Sequence, residues 1–160
     1  MEENHSQLDG LDRKLLSLLQ KDATLTVAEL GERAGLSTTP CWKRLKRLED
    51  EGFIERKVAI VNRAKVGLPV TVFVSIRTNS HDEAWLLEFA GAVSHFPEVV
   101  EIYRMSGEVD YLLKVVTSDI DGYDRFYKRL IRSVKLTDVS STFAMEQIKY
   151  TTEMPTDQGR

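Results

Sequence analysis

The spacing of apolar residues changes at Gly67-Leu68-Pro69, and that change limits the folds open to this 160-residue chain. Before it, leucines recur at helical intervals. After it, short runs rich in Val, Ile, Phe and Tyr alternate with two amphipathic stretches. A chain that changes period this way reads as a helical module followed by an α+β module, not as one repeating architecture.

In the first part, Leu11, Leu15, Leu18 and Leu19 fall on one side of a helix over Leu8–Gln20, with Asp9 as its cap. Thr26-Val27-Ala28-Glu29 is a capping box, in which the threonine hydroxyl and the glutamate carboxylate each satisfy a backbone N–H of the first turn. It opens a short second helix through Leu30 and Ala34, which Gly35 closes in the left-handed conformation. Ser37 opens a third helix that ends at Gly52. Three helices with a tight turn between the second and third make a helix-turn-helix. Phe53–Val61 is β-rich and is expected to form a wing or a linking strand, with Arg56 and Lys57 near a DNA backbone.

In the second part, strands are expected at Val70–Arg77, Val99–Met105, Asp110–Thr117 and Val139–Ile148, with helices at Asp82–Val93 and Ile120–Ile131. The order β-α-β-β-α-β predicts a ferredoxin-like domain, two helices on one face of a four-stranded antiparallel sheet. The other face carries alternate residues of V-T-V-F-V-S-I and Y-L-L-K-V-V and needs a cover, most simply a second subunit. The expected fold is therefore α+β: a winged helix-turn-helix over 1–52, a linker strand or wing over 53–68, and a ferredoxin-like domain over 69–160. The tail T-T-E-M-P-T-D-Q-G-R and the polar N-terminus read as frayed ends.

Net charge is −3, which argues against a protein coated in positive charge. Residues 1–66 sum to +1 and the remainder to −4, so basic residues matter by position. Thr38–Arg47, T-T-P-C-W-K-R-L-K-R, holds four basic residues and no acidic one. Stepping 100° per residue puts Cys41, Leu45 and Leu48 on one side and Thr39, Pro40, Lys43 and Arg47 roughly opposite, with Arg44 and Lys46 on the flanks. Most charge runs are solvated faces, but this one sits on the third helix of a recognisable motif. Ser37, Thr38, Thr39, Pro40 and Lys43 are expected near base edges. Arg44, Lys46 and Arg47 are expected on phosphates, with a guanine as a further option for Arg47. Trp42 is expected at the edge of the packed face, as a buttress. Cys41 reads as a small buried hydrophobe in preference to a redox sensor.

One cysteine excludes an intramolecular disulfide, and no apolar run approaches the ~20 residues that span a bilayer. The N-terminus is unlike a signal peptide, so a cytoplasmic protein is expected. His5, His81 and His95 lack ligand spacing, and neither a metal nor a cofactor is expected. Gly-rich phosphate loops, a nucleophile elbow and clustered histidines are all missing from the sequence, which disfavours an enzyme.

Gly107, Glu108, Asp110 and Tyr111 read equally well as an ordinary hairpin turn and as a binding site. In the second reading, backbone amides at the glycine receive a carboxylate while Asp110 or Glu108 pairs with an ammonium. Tyr103, Met105 and Ser106 on the approaching strand would be neighbours, with Thr142 and Gln147 on the last strand as further candidates.

Taken together, L-D-G-L-D-R-K-L-L-S-L-L-Q at Leu8–Gln20, L-S-T-T-P-C-W-K-R-L-K-R-L-E-D-E-G-F-I at Leu36–Ile54, V-G-L at Val66–Leu68, F-P-E-V at Phe96–Val99 and G-E-V-D-Y at Gly107–Tyr111 resemble the Lrp/AsnC, or feast/famine, family of transcription regulators. The resemblance covers nearly the whole chain. It implies an N-terminal domain that binds double-stranded DNA and a C-terminal domain that dimerises and binds a small amino acid at the glycine hairpin. It also implies dimers that assemble into octamers or related rings. T-T-P-C-W-K-R-L-K-R-L-E and F-A-M-E-Q-I-K-Y-T-T look most like the branch associated with cysteine catabolism, which makes cysteine the first effector to consider. Where many relatives carry Pro-Gly before the last strand, this chain reads Ser133-Val134-Lys135-Leu136-Thr137.

The expected protein is thus a homodimeric regulator on a roughly palindromic operator, its half-sites about one helical turn (~34 Å) apart or a multiple of it. The alternatives are an architectural DNA-wrapping protein with no ligand response, and an enzyme or storage protein using the α/β domain.

Overall fold

The computed structural model describes residues 8–79 and 83–156. The N-terminal stretch with His5, together with His81 and the expected helix start at Asp82, lies outside them. The chain forms two compact units, residues 1–59 with 148–160, and residues 60–147. The expected 69–160 domain thus gives up its tail, from Ile148 on, to the helical unit.

The helical unit contains α1 (Gly10–Lys21), α2 (Val27–Ala34) and α3 (Thr38–Asp50). Its start and stop signals are local. Asp9 caps α1 in a capping box with Asp12, Thr26 does the same for α2 with Glu29, and Gly35 leaves α2 at φ 78°. Ser37 occupies the N-cap of α3 with extended backbone, but its hydroxyl makes no capping hydrogen bond. Leu15, Leu19, Leu30, Ala34, Cys41 and Leu45 form the core, with Leu25, Leu36 and Ile54 packed against it. The α2–α3 turn is drawn tight by Leu36 N–H donating to Gly31 O at 2.7 Å.

As far as Thr156 the tail docks on α1 instead of fraying. Gln20 Nε2 donates to Met154 O at 3.2 Å, and Met154 N–H donates back to Gln20 Oε1 at 2.5 Å. Glu153 accepts from Ser17 Oγ at 3.1 Å and pairs with Lys21 at 3.2 Å, while Arg13 donates to Thr156 O. Arg13, Ser17, Gln20 and Lys21 lie along one stripe of α1, so the helix itself spaces these contacts.

The second unit contains β1 (Val70–Arg77), α4 (Glu83–Ser94), β2 (Val99–Arg104), β3 (Tyr111–Thr117), α5 (Ile120–Ser133) and β4 (Asp138–Phe143). The strands are antiparallel in the order β2-β3-β1-β4, which is the expected ferredoxin-like topology. Val72, Val74 and Ile76 oppose Val115, Leu113 and Tyr111, and these side chains meet Phe89 and Val93 of α4 and Tyr123, Phe126 and Leu130 of α5. Phe73, Ser75, Leu112, Lys114 and Tyr103 alternate onto the opposite face, where Phe73 and Tyr103 are 37% and 49% exposed.

Two expected strands change. Phe53–Val61 forms no strand, because a strand needs a partner for its N–H and C=O groups and the single chain offers none there. Val58, Ile60 and Val61 are left more than half exposed. The last strand stops at Phe143, five residues short of Ile148. β1 runs out of partners, and Ala144 N–H makes a last hydrogen bond to Thr71 O at 2.9 Å.

Candidate DNA-reading helix and effector hairpin

Helix α3 separates its residues as the 100° projection requires. Cys41, Leu45 and Leu48 are 0%, 6% and 0% exposed, whereas Ser37, Thr38, Thr39, Pro40, Lys43 and Lys46 are exposed and Arg44 and Arg47 half-buried. Trp42 is 53% exposed, so it stands out beside Lys43 and does not serve as the expected buttress. The bare Ser37 hydroxyl and the two threonines put small hydrogen-bonding groups at the start of a helix whose first turn carries no acidic residue. Such groups can hydrogen-bond to base edges where a helix start enters a groove.

The arginines are not simply outward-facing. Arg44 Nη1 donates to Asp9 Oδ2 at 2.6 Å and Asp12 Oδ1 at 2.8 Å, and Arg47 Nη2 donates to Asp12 Oδ2. Arg47 therefore holds back against α1 and, in this conformation, does not extend toward a guanine, the further option the sequence left it. Burial pushes the Asp12 carboxyl up, but hydrogen bonds from Arg47, the Asp9 backbone N–H and Arg44 outweigh it and hold the group below the usual carboxylate range. Lys46 pairs with Asp50 one turn on at 2.6 Å. Sequence reasoning missed this Asp9/Asp12 pairing. Its signal was the i, i+3 spacing of both the aspartates and the arginines.

Cys41 is fully buried, and burial pushes its thiol up, the opposite of what a reactive thiolate needs.

In the second unit the β2–β3 hairpin is closed by Met105 N–H donating to Asp110 O at 2.8 Å, and Gly107 turns it at φ 121°, where a side chain is strained. Asp110 accepts from the Thr78 backbone N–H at 2.8 Å, and its own N–H donates to Ile76 O at 3.0 Å. Glu108 is at the tip, 3.4 Å from Arg77. Met105, Ser106 and Gly107 are exposed with it.

The expected effector residues do not converge within one chain. Tyr111 is 6% exposed and packs against the stacked pair Trp85 and Phe89, with ring centroids at 5.6 and 4.7 Å. It is a core residue, which corrects its expected place on the ligand: register with Ile76 turns it toward the helices. Tyr103 lies on the opposite, open face, where its hydroxyl donates to Glu101 Oε2 at 2.7 Å and Lys114 pairs with the other Glu101 oxygen at 2.6 Å. The Lys114 hydrogen bond outweighs burial and holds Glu101 below the usual carboxylate range. Thr142 shares the open face through its register with Phe73, while Gln147 falls beyond the end of β4. Among the described residues no group of three His, Cys, Asp or Glu side chains could hold a metal ion, and no helix is long and apolar enough to cross a membrane.

Comparison with known proteins agrees with this architecture. Residues 8–55 match a winged helix-turn-helix DNA-binding family and residues 71–154 the Lrp/AsnC ligand binding domain. The DNA-binding transcriptional activator DecR of Escherichia coli K12 is 54% identical over 149 residues, covering 92% of this chain and 98% of its own. An AsnC family transcriptional regulator from Agrobacterium tumefaciens has a crystal structure with 61% identity and TM-score 0.91, covering 94% of this chain and 98% of its own. A Neisseria meningitidis transcriptional regulator solved in complex with L-Met has 34% identity and TM-score 0.89, over 93% and 97% of the two chains.

Proposed function

The chain belongs to the Lrp/AsnC family of DNA-binding transcriptional regulators with a ligand-binding domain, and from that premise we propose that it reads a roughly palindromic operator as a homodimer whose DNA affinity or assembly is set by a small amino acid. The observation that carries this reading is α3 itself: apolar residues buried on one side, and Ser37, Thr38, Thr39, Pro40 and Lys43 exposed on the other. These five approach base edges, while Lys46 and the solvent-facing edges of Arg44 and Arg47 meet phosphates.

The open sheet face carrying Phe73, Leu112 and Tyr103 is the surface a second copy covers. Because Tyr103 faces that way while Met105, Ser106, Gly107, Glu108 and Asp110 lie at the hairpin, the effector site is completed between copies. An effector shifts an equilibrium only by its differential affinity for two states, and a site shared by two subunits supplies that difference. Cysteine is the first effector to test, from the resemblance of the recognition helix and of F-A-M-E-Q-I-K-Y-T-T at Phe143–Thr152 to the cysteine-catabolism branch. Methionine follows, since a similar structure holds it. Dimers stacking into octamers, and action in the cytoplasm where the DNA is, belong to the same reading. Three histidines scattered along the sequence without a shared spacing suit binding better than catalysis.

Fluorescence anisotropy on the promoter duplex upstream of its own gene, at fixed salt, with and without each of the twenty amino acids, tests this directly. Tight binding altered by one amino acid is the expected result. Binding indifferent to all twenty would favour an architectural DNA-wrapping protein, and absence of binding would sink the proposal.

A further inference from the structure

Three of the four positive charges on α3 already have acidic partners within the helical unit. Lys46 pairs with Asp50 along the helix, a common exposed i, i+4 arrangement. Arg44 and Arg47 are engaged differently, by a second helix: Asp9 and Asp12 on α1 present two carboxylates three residues apart to two guanidiniums three residues apart. Among the described residues Lys43 is the one α3 cation with no ion pair.

Stability alone does not call for this arrangement. Asp12 is fully buried, and a buried charge held by ion pairs contributes no more to stability, as a rule, than a well-packed apolar group of the same size. Nor do the pairs add to DNA affinity, since each carboxylate offsets a charge that would otherwise release a counterion from the duplex. What they change is the balance between two kinds of contact. Arginine on phosphate is indifferent to sequence, and each such contact adds roughly 0.9 to the slope of log K against log salt. Contacts from Thr38, Thr39 and Lys43 to base edges carry the sequence information.

We propose that Asp9 and Asp12 are specificity-determining residues: by binding Arg44 and Arg47 from inside the helical unit, they offset part of the charge these arginines bring to the phosphates of any duplex and leave discrimination to the start of α3. This rests on the placement of α3 against DNA set out above. It also fits a chain of net charge −3 whose basic residues are confined by position.

The test compares the full-length protein with Asp9→Asn, Asp12→Asn and Asp124→Asn. Asp124 is an exposed residue of α5 paired with Lys128, so its substitution makes the same change in net charge in the other unit. Anisotropy is measured over a salt series on the promoter duplex and on a scrambled duplex of the same composition. Asp9→Asn is expected to raise affinity for the scrambled duplex several-fold, steepen its salt slope by roughly 0.9 for each additional phosphate neutralised, and narrow the ratio between the two duplexes. Asp12→Asn is expected to act further in the same direction, and Asp124→Asn to leave slope and ratio at wild-type values. Because the Asp9 side chain is half exposed, its variant keeps the test independent of any folding defect in Asp12→Asn. If Asp9→Asn matches Asp124→Asn in slope and ratio, the proposal is overturned. A shallower slope also overturns it, since the aspartates would then be aiming the arginines at phosphate. Wild-type protein that binds neither duplex would sink this proposal together with the operator reading, whereas wild-type binding with unaltered variants sinks this proposal alone.

Discussion

The Thr78 backbone N–H donates to the Asp110 carboxylate at 2.8 Å, joining the end of β1 to the turn that leads into β3. Thr78 is 6% exposed, so its amide has little access to water if the carboxylate is removed. Asp110→Ala is expected to cost about 1–3 kcal/mol by urea unfolding, the usual penalty for an orphaned buried donor. Asp110→Asn keeps an acceptor oxygen and should cost much less. Calorimetric titration of the amino acid identified by the anisotropy screen should show weaker binding to Asp110→Ala.

Gly107 makes the same hairpin's turn at φ 121°, with open space where a Cβ would stand. Its substitution therefore acts through backbone strain and not through a clash. Gly107→Ala is expected to lower stability by about 1–2 kcal/mol. Gly107→Trp should abolish the amino-acid response while leaving operator binding intact, and anisotropy with and without effector separates the two effects. Loss of both together would count against independent modules.

Gly31 is a site that sequence reasoning passed over, since glycine inside a helix reads as a mere tolerance. A Cβ there would stand 2.7 Å from the Leu36 carbonyl oxygen, and backbone cannot move aside as a flexible side chain can. Gly31→Ala should open the α2–α3 turn and destabilise the helical unit by about 1–3 kcal/mol, as overpacking does. Thermal unfolding checks the first effect. Operator affinity should fall along with it, because the turn sets the angle of α3.

Acid should act on the helical unit through Asp12. Its carboxyl lies below the usual range in the folded protein, so its contribution is complete above the ordinary carboxylate pKa, about 3.9, and is lost as pH falls through the lower folded value. Wild-type protein should therefore lose more stability between pH 5 and pH 3 than Asp12→Asn, measured as the difference in urea midpoints. Parallel loss in the two proteins would show that other carboxylates carry the acid sensitivity.

Cys41 should be inert in the native protein. Burial favours its thiol over the thiolate, and its neighbours are Leu45 and the α2 backbone at Gly31. A thiol reagent at pH 8 should label it far more slowly than in urea. Native labelling at the denatured rate would reinstate the redox reading.

What was legible in the sequence was what is settled locally. Asp9, Thr26 with Glu29, and Gly35 each act within one helical turn, and all three bound their helices as read. Alternation in β1 placed Val72, Val74 and Ile76 on the buried side because a strand's period is the same whatever it pairs with. Illegible were the features whose cause lies far along the chain. β propensity continues to Ile148, but β1 determines where pairing ends. Arg44 and Arg47 look free until α1, more than thirty residues earlier, brings Asp12 beneath them. Tyr111 sits in a binding motif by sequence and in a core by register, and only the sheet decides between them.

The tail's grip on α1 has a consequence for how the protein is made. The helical unit is assembled from two separated stretches of the chain, with residues 60–147 as a complete insertion between them. A ribosome releases its three helices early, but Gln20 finds its partner at Met154 only after the whole insertion has been made. The part that reads DNA is therefore begun before the sensing domain and finished after it, and a nascent chain cut short in the sensing domain carries a reading domain that was never closed.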